Sequence, residues 1–295
     1  MLPRVTASGS RGTASAKSSK AARSARVQST RIRVRSMHTC ARSVDDHGPM
    51  RVETLATRPD LLRPALALGD IGAEFMRHDQ IATLTRAVRL AARWPEYFLV
   101  VLDDGVPVAR AVAIPMTFPA PDRLELPDHG WDGVILWAVE DALDNHAPTT
   151  LAALDVQVAH DRRRQGIAEH ALTALRTCAK TNGLERLVVP VRPTGKQRLP
   201  HLSMTDYLAA RGPDGLPGDP WLRTHERLGA RFVKVAPFAM TITGSLRDWE
   251  TWTGVRLRNG QNVVEGGLVP VLASVEQDLG VYVEPNVWLE HPLDD

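Results

Sequence analysis

The sequence predicts a mixed α/β domain, on three observations. Between residues 51 and 246, short apolar runs bounded by Gly, Pro and Asp alternate with stretches of helical period. One of the helical stretches, Gly166 to Asn182, follows a strand across a single tight turn. With 43% hydrophobic and 24% charged residues in a chain of 295, there is enough apolar content to bury a sizeable core.

The elements follow in order. Leu55, Leu61, Leu62, Leu66, Leu68, Ile71 and Phe75 fall on helical turns, and Ile81 to Trp94 reads as a further helix ended by Pro95. Tyr97 to Leu102 and Val106 to Phe118 flank Asp103-Asp104-Gly105, the pattern of a hairpin. After a Pro-rich loop from Pro115 to Pro127, Gly133 to Val139 reads as a third strand and Leu151 to Val158 as a fourth. In the Gly166 to Asn182 helix, Ile167, Ala171, Leu172, Leu175, Cys178 and Ala179 share a face, and Asn182-Gly183 stops it. Arg186 to Val191 is a fifth strand. Trp221 to Leu228 is a short helix ended by Gly229, and Arg231 to Val235 and Phe238 to Thr243 are two more strands. Residues 247–295, with Trp249, Trp252 and Trp288, read as an extension packed on the domain.

Residues 1–49 are a different material. Residues 1–50 carry eight Arg and two Lys and no acid before Asp45, and they are poor in large apolar side chains. Such a segment cannot offset its ordering entropy by burial, so it is expected to be a disordered basic tail. A transit peptide, a nucleic-acid-binding arm, a tether to an anionic surface, or a start codon assigned upstream of Met50 would each produce it. Without the tail the chain is net acidic, which argues against nucleic acid as a partner of the domain. Trp249, Trp252 and Trp288 are not interleaved with basic residues and are expected to be packing anchors.

Several chemistries are excluded. The apolar runs are far shorter than the roughly 20 residues of a membrane-spanning helix. Cys40 and Cys178 cannot build a disulfide framework or a cysteine zinc site, and a reducing cytoplasm is the expected compartment. The histidines are scattered, so no metal is expected. Gly195-Lys196-Gln197 lacks the hydroxyl of a P-loop, and no nucleophile elbow or dinucleotide fingerprint is present.

The informative segment is Val156-Gln157-Val158-Ala159-His160-Asp161-Arg162-Arg163-Arg164-Gln165-Gly166-Ile167-Ala168, which runs from strand through turn into helix. First-turn amides of a helix have no intrahelical partner and lie at the positive end of its dipole. Gly166 and Ala168 keep side-chain bulk off that backbone, and the three arginines add positive charge. The expected ligand is a phosphate or pyrophosphate.

Here the sequence resembles the GNAT acyltransferase superfamily, whose coenzyme A turn has Arg or Gln, two residues, Gly, one residue, then Gly or Ala. Arg163, Gly166 and Ala168 match, while His160 stands where members commonly have Pro and Arg164 where a second Gly is frequent. The resemblance covers about residues 51 to 246. It implies a mainly antiparallel central sheet flanked by helices, and a pyrophosphate held by Arg163, Arg164, Gln165, Gly166, Ile167 and Ala168. It also implies a splayed strand at Val156, Gln157 and Val158 bonding the pantetheine arm, with an amide near Val158 polarising the thioester. The activity implied is transfer of an acyl group, acetyl or another short one, from acetyl-coenzyme A to a primary amine.

His225, four residues before Gly229, occupies the place where many members have a Tyr that protonates the departing sulfur, and an imidazolium is chemically able to do so. Glu140 and Asp155 lie where members place a carboxylate base; either is equally well a solvated structural acid. A non-catalytic acyl-coenzyme A sensor is the alternative reading. The acceptor is not legible, and the oligomeric state stays open, a homodimer included.

Overall fold

The computed structural model describes residues 50–69, 72–84 and 86–293. The basic tail and Ile71 lie outside the described residues. The strands are β1 (Met50–Thr54), β2 (Phe98–Asp103), β3 (Val106–Met116), β4 (Thr150–Val158), β5 (Arg186–Val191), β6 (Arg231–Gly244), β7 (Gly260–Asn262), β8 (Val271–Ser274) and β9 (Leu279–His291). The α-helices are α1 (Leu62–Leu66), α2 (Gln80–Leu84), α3 (Ala87–Arg93), α4 (Gly130–Asp144), α5 (Ile167–Thr181), α6 (Met204–Ala209), α7 (Pro220–Arg227) and α8 (Leu246–Thr253).

All nine strands join one sheet, antiparallel throughout except where β4 meets β5. The β2–β3 hairpin turns on Asp104 (φ 48°) and Gly105 (φ 81°), two left-handed residues whose twist suits a two-residue hairpin loop. Its strands alternate between two cores. Leu99, Val101, Ala111 and Ala113 join the core that holds the apolar face of α5. Phe98, Val100, Val112 and Ile114 join the core beneath α4. Helix α5 buries the expected face and ends as expected: the Leu184 amide bonds the Ala179 carbonyl and the Gly183 amide that of Lys180, with Gly183 at φ 73°.

Gly133 to Val139 is helix, not strand. The run belongs to α4, whose buried residues Val134, Ile135, Ala138 and Asp141 recur at helical spacing, and Asn145 in the left-handed region ends it. Period 2 and period 3.6 cannot be told apart in seven apolar residues, and here length decides. The strand expected at residues 133–139 is instead supplied by Met50–Thr54. The stretch from Ile81 to Trp94 is two short helices, and the two strands expected between Arg231 and Thr243 are one, β6, with a bulge between Ala236 and Met240.

Residues 247–295 are more than an appendage. Strand β9 lies between β5 and β6, antiparallel to both, so the last strand of the chain completes the central sheet. The segment between β6 and β9 carries α8, β7 and β8 and forms a third core of Trp249, Leu257, Val264 and Val271 with Phe75, Ile242 and Tyr282. Among the described residues no helix is long and apolar enough to cross a membrane.

Candidate active site

The site begins with a gap in the sheet. Strand β4 follows β3 along its whole length but pairs with β5 over three residues only, Thr150, Leu151 and Ala152 opposite Arg186, Leu187 and Val188. Val112 opposes Asp155 while Ala113 opposes Ala153, which makes Leu154 the extra residue of a bulge. A bulge bends its strand and sharpens the local twist, and from it onward β4 leaves β5. The Leu154 carbonyl is held by Trp131 Nε1 at 3.2 Å. Val156, Gln157 and Val158 line the resulting cavity of about 1380 Å³. An open strand edge carries backbone donors and acceptors that need partners, and an extended ligand can provide them.

At the end of β4 the chain makes one tight turn, His160–Arg162, and enters α5 through Arg163, Arg164, Gln165 and Gly166. Arg164 (φ 63°) and Gly166 (φ 77°) are both left-handed. Arg164 thus adopts a glycine-like conformation although it has a side chain, at about 1–2 kcal/mol. Gly166 is the N-cap of α5 and has no side-chain cap; a Cβ there would meet nothing within 4 Å. Open space therefore faces the unpartnered first-turn amides, as a pyrophosphate requires.

The arginines divide their work. Arg162 is drawn into an ion pair with Asp103 at the end of β2 and bonds Gln165 at 3.1 Å, which braces the turn. Arg163 and Arg164 line the cavity and make no ion pair among the described residues, leaving their charge for a ligand. Gln165 is not part of the lining; its amide reaches the Asp161 carbonyl at 3.4 Å. Ile167 and Ala168 are part of it.

The rest of the lining carries acids that are mostly paired internally. Asp155 lines the cavity and receives Arg110 Nε at 2.6 Å, and the nearly buried Arg110 also bonds the Ala65 carbonyl at 3.2 Å. Glu284 of β9, fully buried, takes Arg192 Nε at 2.9 and 3.1 Å and the Tyr282 hydroxyl at 2.5 Å. Burial, and then Glu284, push the Tyr282 hydroxyl up, so it remains a donor.

Two further acids, Asp79 and Asp132, are buried. Asp79 Oδ1 accepts the Ala82 amide at 2.7 Å. Burial first, then Asp79 and Glu284, push Asp132 up to about 8, and burial raises Asp79 as well. Asp79 Oδ2 and Asp132 Oδ1 have no hydrogen-bond partner among the described residues, and a proton retained on Asp132 near neutral pH would give one carboxyl a donor for the other.

The other two candidates from the sequence stand elsewhere. Glu140 projects from α4 toward solvent, paired with Arg123 at 2.6 Å, and is not in the cavity lining. His225 is fully buried, its Nδ1 2.8 Å from His291 Nε2 and its ring edge-on to Trp221. Burial, and then His291, hold His225 well below the usual histidine range, so it is a neutral imidazole at pH 7. Trp221, one turn earlier on α7, lines the cavity; His225 does not. Arg192, Trp252, Glu265 and Glu284 are all in the lining, and none is legible in the sequence as a site residue. No local motif marks them; only the return of β9 into the sheet and the packing of the preceding segment bring them to the site.

A bulged strand splaying from its parallel neighbour, with a helix N-terminus at its end, defines an acyl-coenzyme A-binding fold of the acyltransferase type. No family model matches the chain. It is 32% identical over 278 residues to the arginine N-acetyltransferase avaD of Aspergillus versicolor, a match covering 82% of this chain and 93% of that protein. Its fold is similar to the loading GNATL domain of CurA from Lyngbya majuscula, with a TM-score of 0.51 and 17% identity over 83% of this chain and 98% of that domain. The chain belongs to the GNAT superfamily of N-acetyltransferases. It is an enzyme that transfers an acyl group from coenzyme A to an amine.

Proposed function

We propose that the acyl group is acetyl or another short acyl, and that the acceptor is the amino group of arginine or a close analogue. The observation that carries the donor half is the β4–β5 gap opening onto the bare amides of α5. In this reading the backbone of Val156, Gln157 and Val158 bonds the pantetheine arm as an added strand. Gly166, Ile167 and Ala168 present amides to the pyrophosphate, with Arg163 and Arg164 adding charge and Gln165 shaping the turn. For the acceptor, the reading is supported by the similarity to an arginine N-acetyltransferase and by the carboxylates in the lining.

The amine attacks the thioester carbon as its free base, a backbone amide of β4 near Val158 stabilises the oxyanion, and the C–S bond breaks to give amide and thiolate. We assign the amine's proton to Asp155, the carboxylate on the splayed strand itself. A thiolate leaving group needs no dedicated acid, since an ordinary thiol has a pKa of about 8.5; His225, neutral and buried, is given no such part. Among compartments, a reducing cytoplasm fits the buried thiol of Cys178.

The test is release of free thiol from acetyl-coenzyme A with arginine, agmatine, lysine and n-hexylamine, with products identified by mass spectrometry. Acetylated arginine at a rate well above hydrolysis is expected. Tight coenzyme A binding with no acylated amine from the panel would favour the sensor reading and overturn this one.

A further inference from the structure

The donor half of the cavity is built by strand, turn and helix, but the wall facing it comes from two segments that meet only in three dimensions. One is the stretch around Glu74–His78; the other is the segment between β6 and β9. Phe75 packs against Trp249 and Tyr282 with ring centroids 5.5 and 5.0 Å away, and His78 stacks on Trp252 at 4.1 Å. A Cβ on Gly266 would come within 2.7 Å of the Ala73 Cβ, so the Gly266 backbone packs closely against the Ala73 methyl there.

Glu265 stands at the corner of this wall. Its preceding neighbour Val264 is buried in the third core, the Gly267 amide closes the turn onto the Val264 carbonyl at 3.1 Å, and the Gly266 carbonyl is held by Arg192. The backbone is thus fixed on both sides of a side chain that is exposed to the cavity. Other carboxylates lining the cavity have cationic partners: Asp155 of β4 pairs with Arg110, Glu284 of β9 with Arg192, and Glu74 with Arg77 at 3.0 Å. Glu265 has no cationic partner among the described residues. Glu169, also in the lining, belongs to the first turn of α5 on the donor side.

We propose that Glu265 is the specificity-determining residue of the acceptor site, its carboxylate receiving the guanidinium of an arginine-like amine while the amino group reaches the β4 bulge. A guanidinium presents paired N–H donors that match a carboxylate, and it is too basic to act as nucleophile, so an enzyme acylating the amino group must hold the other end of the molecule. The inference rests on the amine-acylating reading above.

The experiment compares kcat/KM for arginine and for n-hexylamine, which has no second cation, in wild type, Glu265→Gln and Glu265→Lys. The arginine-to-hexylamine ratio should fall about tenfold in Glu265→Gln, the scale of one lost charged hydrogen bond, and further in Glu265→Lys. The loss should sit in KM rather than kcat, with the coenzyme A Kd and the unfolding midpoint unchanged. A ratio within twofold of wild type in both variants, while wild type acylates arginine, overturns the role of Glu265 and leaves the proposed function standing. A wild type that acylates no amine sinks the proposed function itself, and this inference with it.

Discussion

Replacing Asp132 by Asn should stabilise the protein and remove the alkaline limb of its stability profile. Asp132 is 6% exposed, and its carboxyl is pushed from an ordinary value of 3.8 up to about 8. Between those limits the native state holds a proton that the unfolded state has released, so stability falls as pH rises, by about 1.4 kcal/mol per unit. The accumulated cost is about 4 kcal/mol at pH 6.5, and about 2 kcal/mol more is lost by pH 8. On the acid side the histidines carry the opposite sign. His225 is held well below 6.5 and His291 is lowered to about 4, chiefly by burial, so below pH 6.5 the unfolded histidines take up protons that the native ones refuse. The histidines and the raised carboxyls Asp132 and Asp79 therefore oppose each other below pH 6.5, and the carboxyl limb is read cleanly only above it. The carboxamide introduced by Asp132→Asn has N–H donors to offer Asp79 and carries no charge to bury. Urea unfolding at intervals from pH 5 to 9 should show wild type losing about 2 kcal/mol from pH 6.5 to 8, roughly 4–8 °C in Tm, and Asp132→Asn staying flat. A variant with the same alkaline slope as wild type, or one less stable at every pH, would refute the retained proton.

The remaining predictions concern the cavity. Arg163→Ala with Arg164→Ala should raise the coenzyme A Kd by about tenfold or more by calorimetry, two charged contacts being lost, while Tm holds or rises because the left-handed Arg164 gives up nothing structural. Gly166→Val should abolish coenzyme A binding and lower stability by about 1–2 kcal/mol, since its φ of 77° is strained for any side chain and the branched group fills the space before the α5 amides; tight binding by a folded Gly166→Val protein would remove the turn from the site. Asp155→Asn should lower kcat about 100-fold with coenzyme A affinity retained, whereas Glu140→Gln should leave kcat within twofold. The reverse order of those two would transfer the base to a solvent-facing carboxylate and contradict the geometry.

What the sequence reveals and what it hides have physical reasons. The turn from Arg163 to Ala168 is legible because the anion site proposed there would use backbone amides and bare space, and only Gly and small residues allow that. The hairpin at Asp104-Gly105 and the Schellman stop at Asn182-Gly183 are legible for the same reason: each needs a left-handed residue at a fixed offset. Helix α4 reads as a strand because its run from Val134 to Val139 is apolar even where it faces solvent, at the exposed Leu136, and so shows no polar face from which to read a period. His225 reads as a proton donor because its partner, His291, is 66 positions away and reaches it only when β9 re-enters the sheet. Glu140 follows from the first of these errors, since its place at a strand end exists only while α4 is taken for a strand.

The return of β9 also explains why the cavity exists. Strand β5 is six residues long, and β9 occupies its far edge from Leu187 to Val191 with full antiparallel pairing. That pairing holds β5 in the sheet on its own, while the Leu154 bulge turns β4 toward its other partner, β3, and leaves the facing edges of β4 and β5 open beyond Ala152 and Val188. The gap is therefore a property of strand order and a single extra residue, and it places few demands on side chains along Val156 to Val158. The acceptor wall has the opposite character. On the proposed reading it depends on Glu265 and Trp252, both carried by the segment between β6 and β9. On the same reading, donor recognition is written in backbone, whereas acceptor recognition would be written in side chains of the segment between β6 and β9, and Glu265→Gln is the substitution that separates the two.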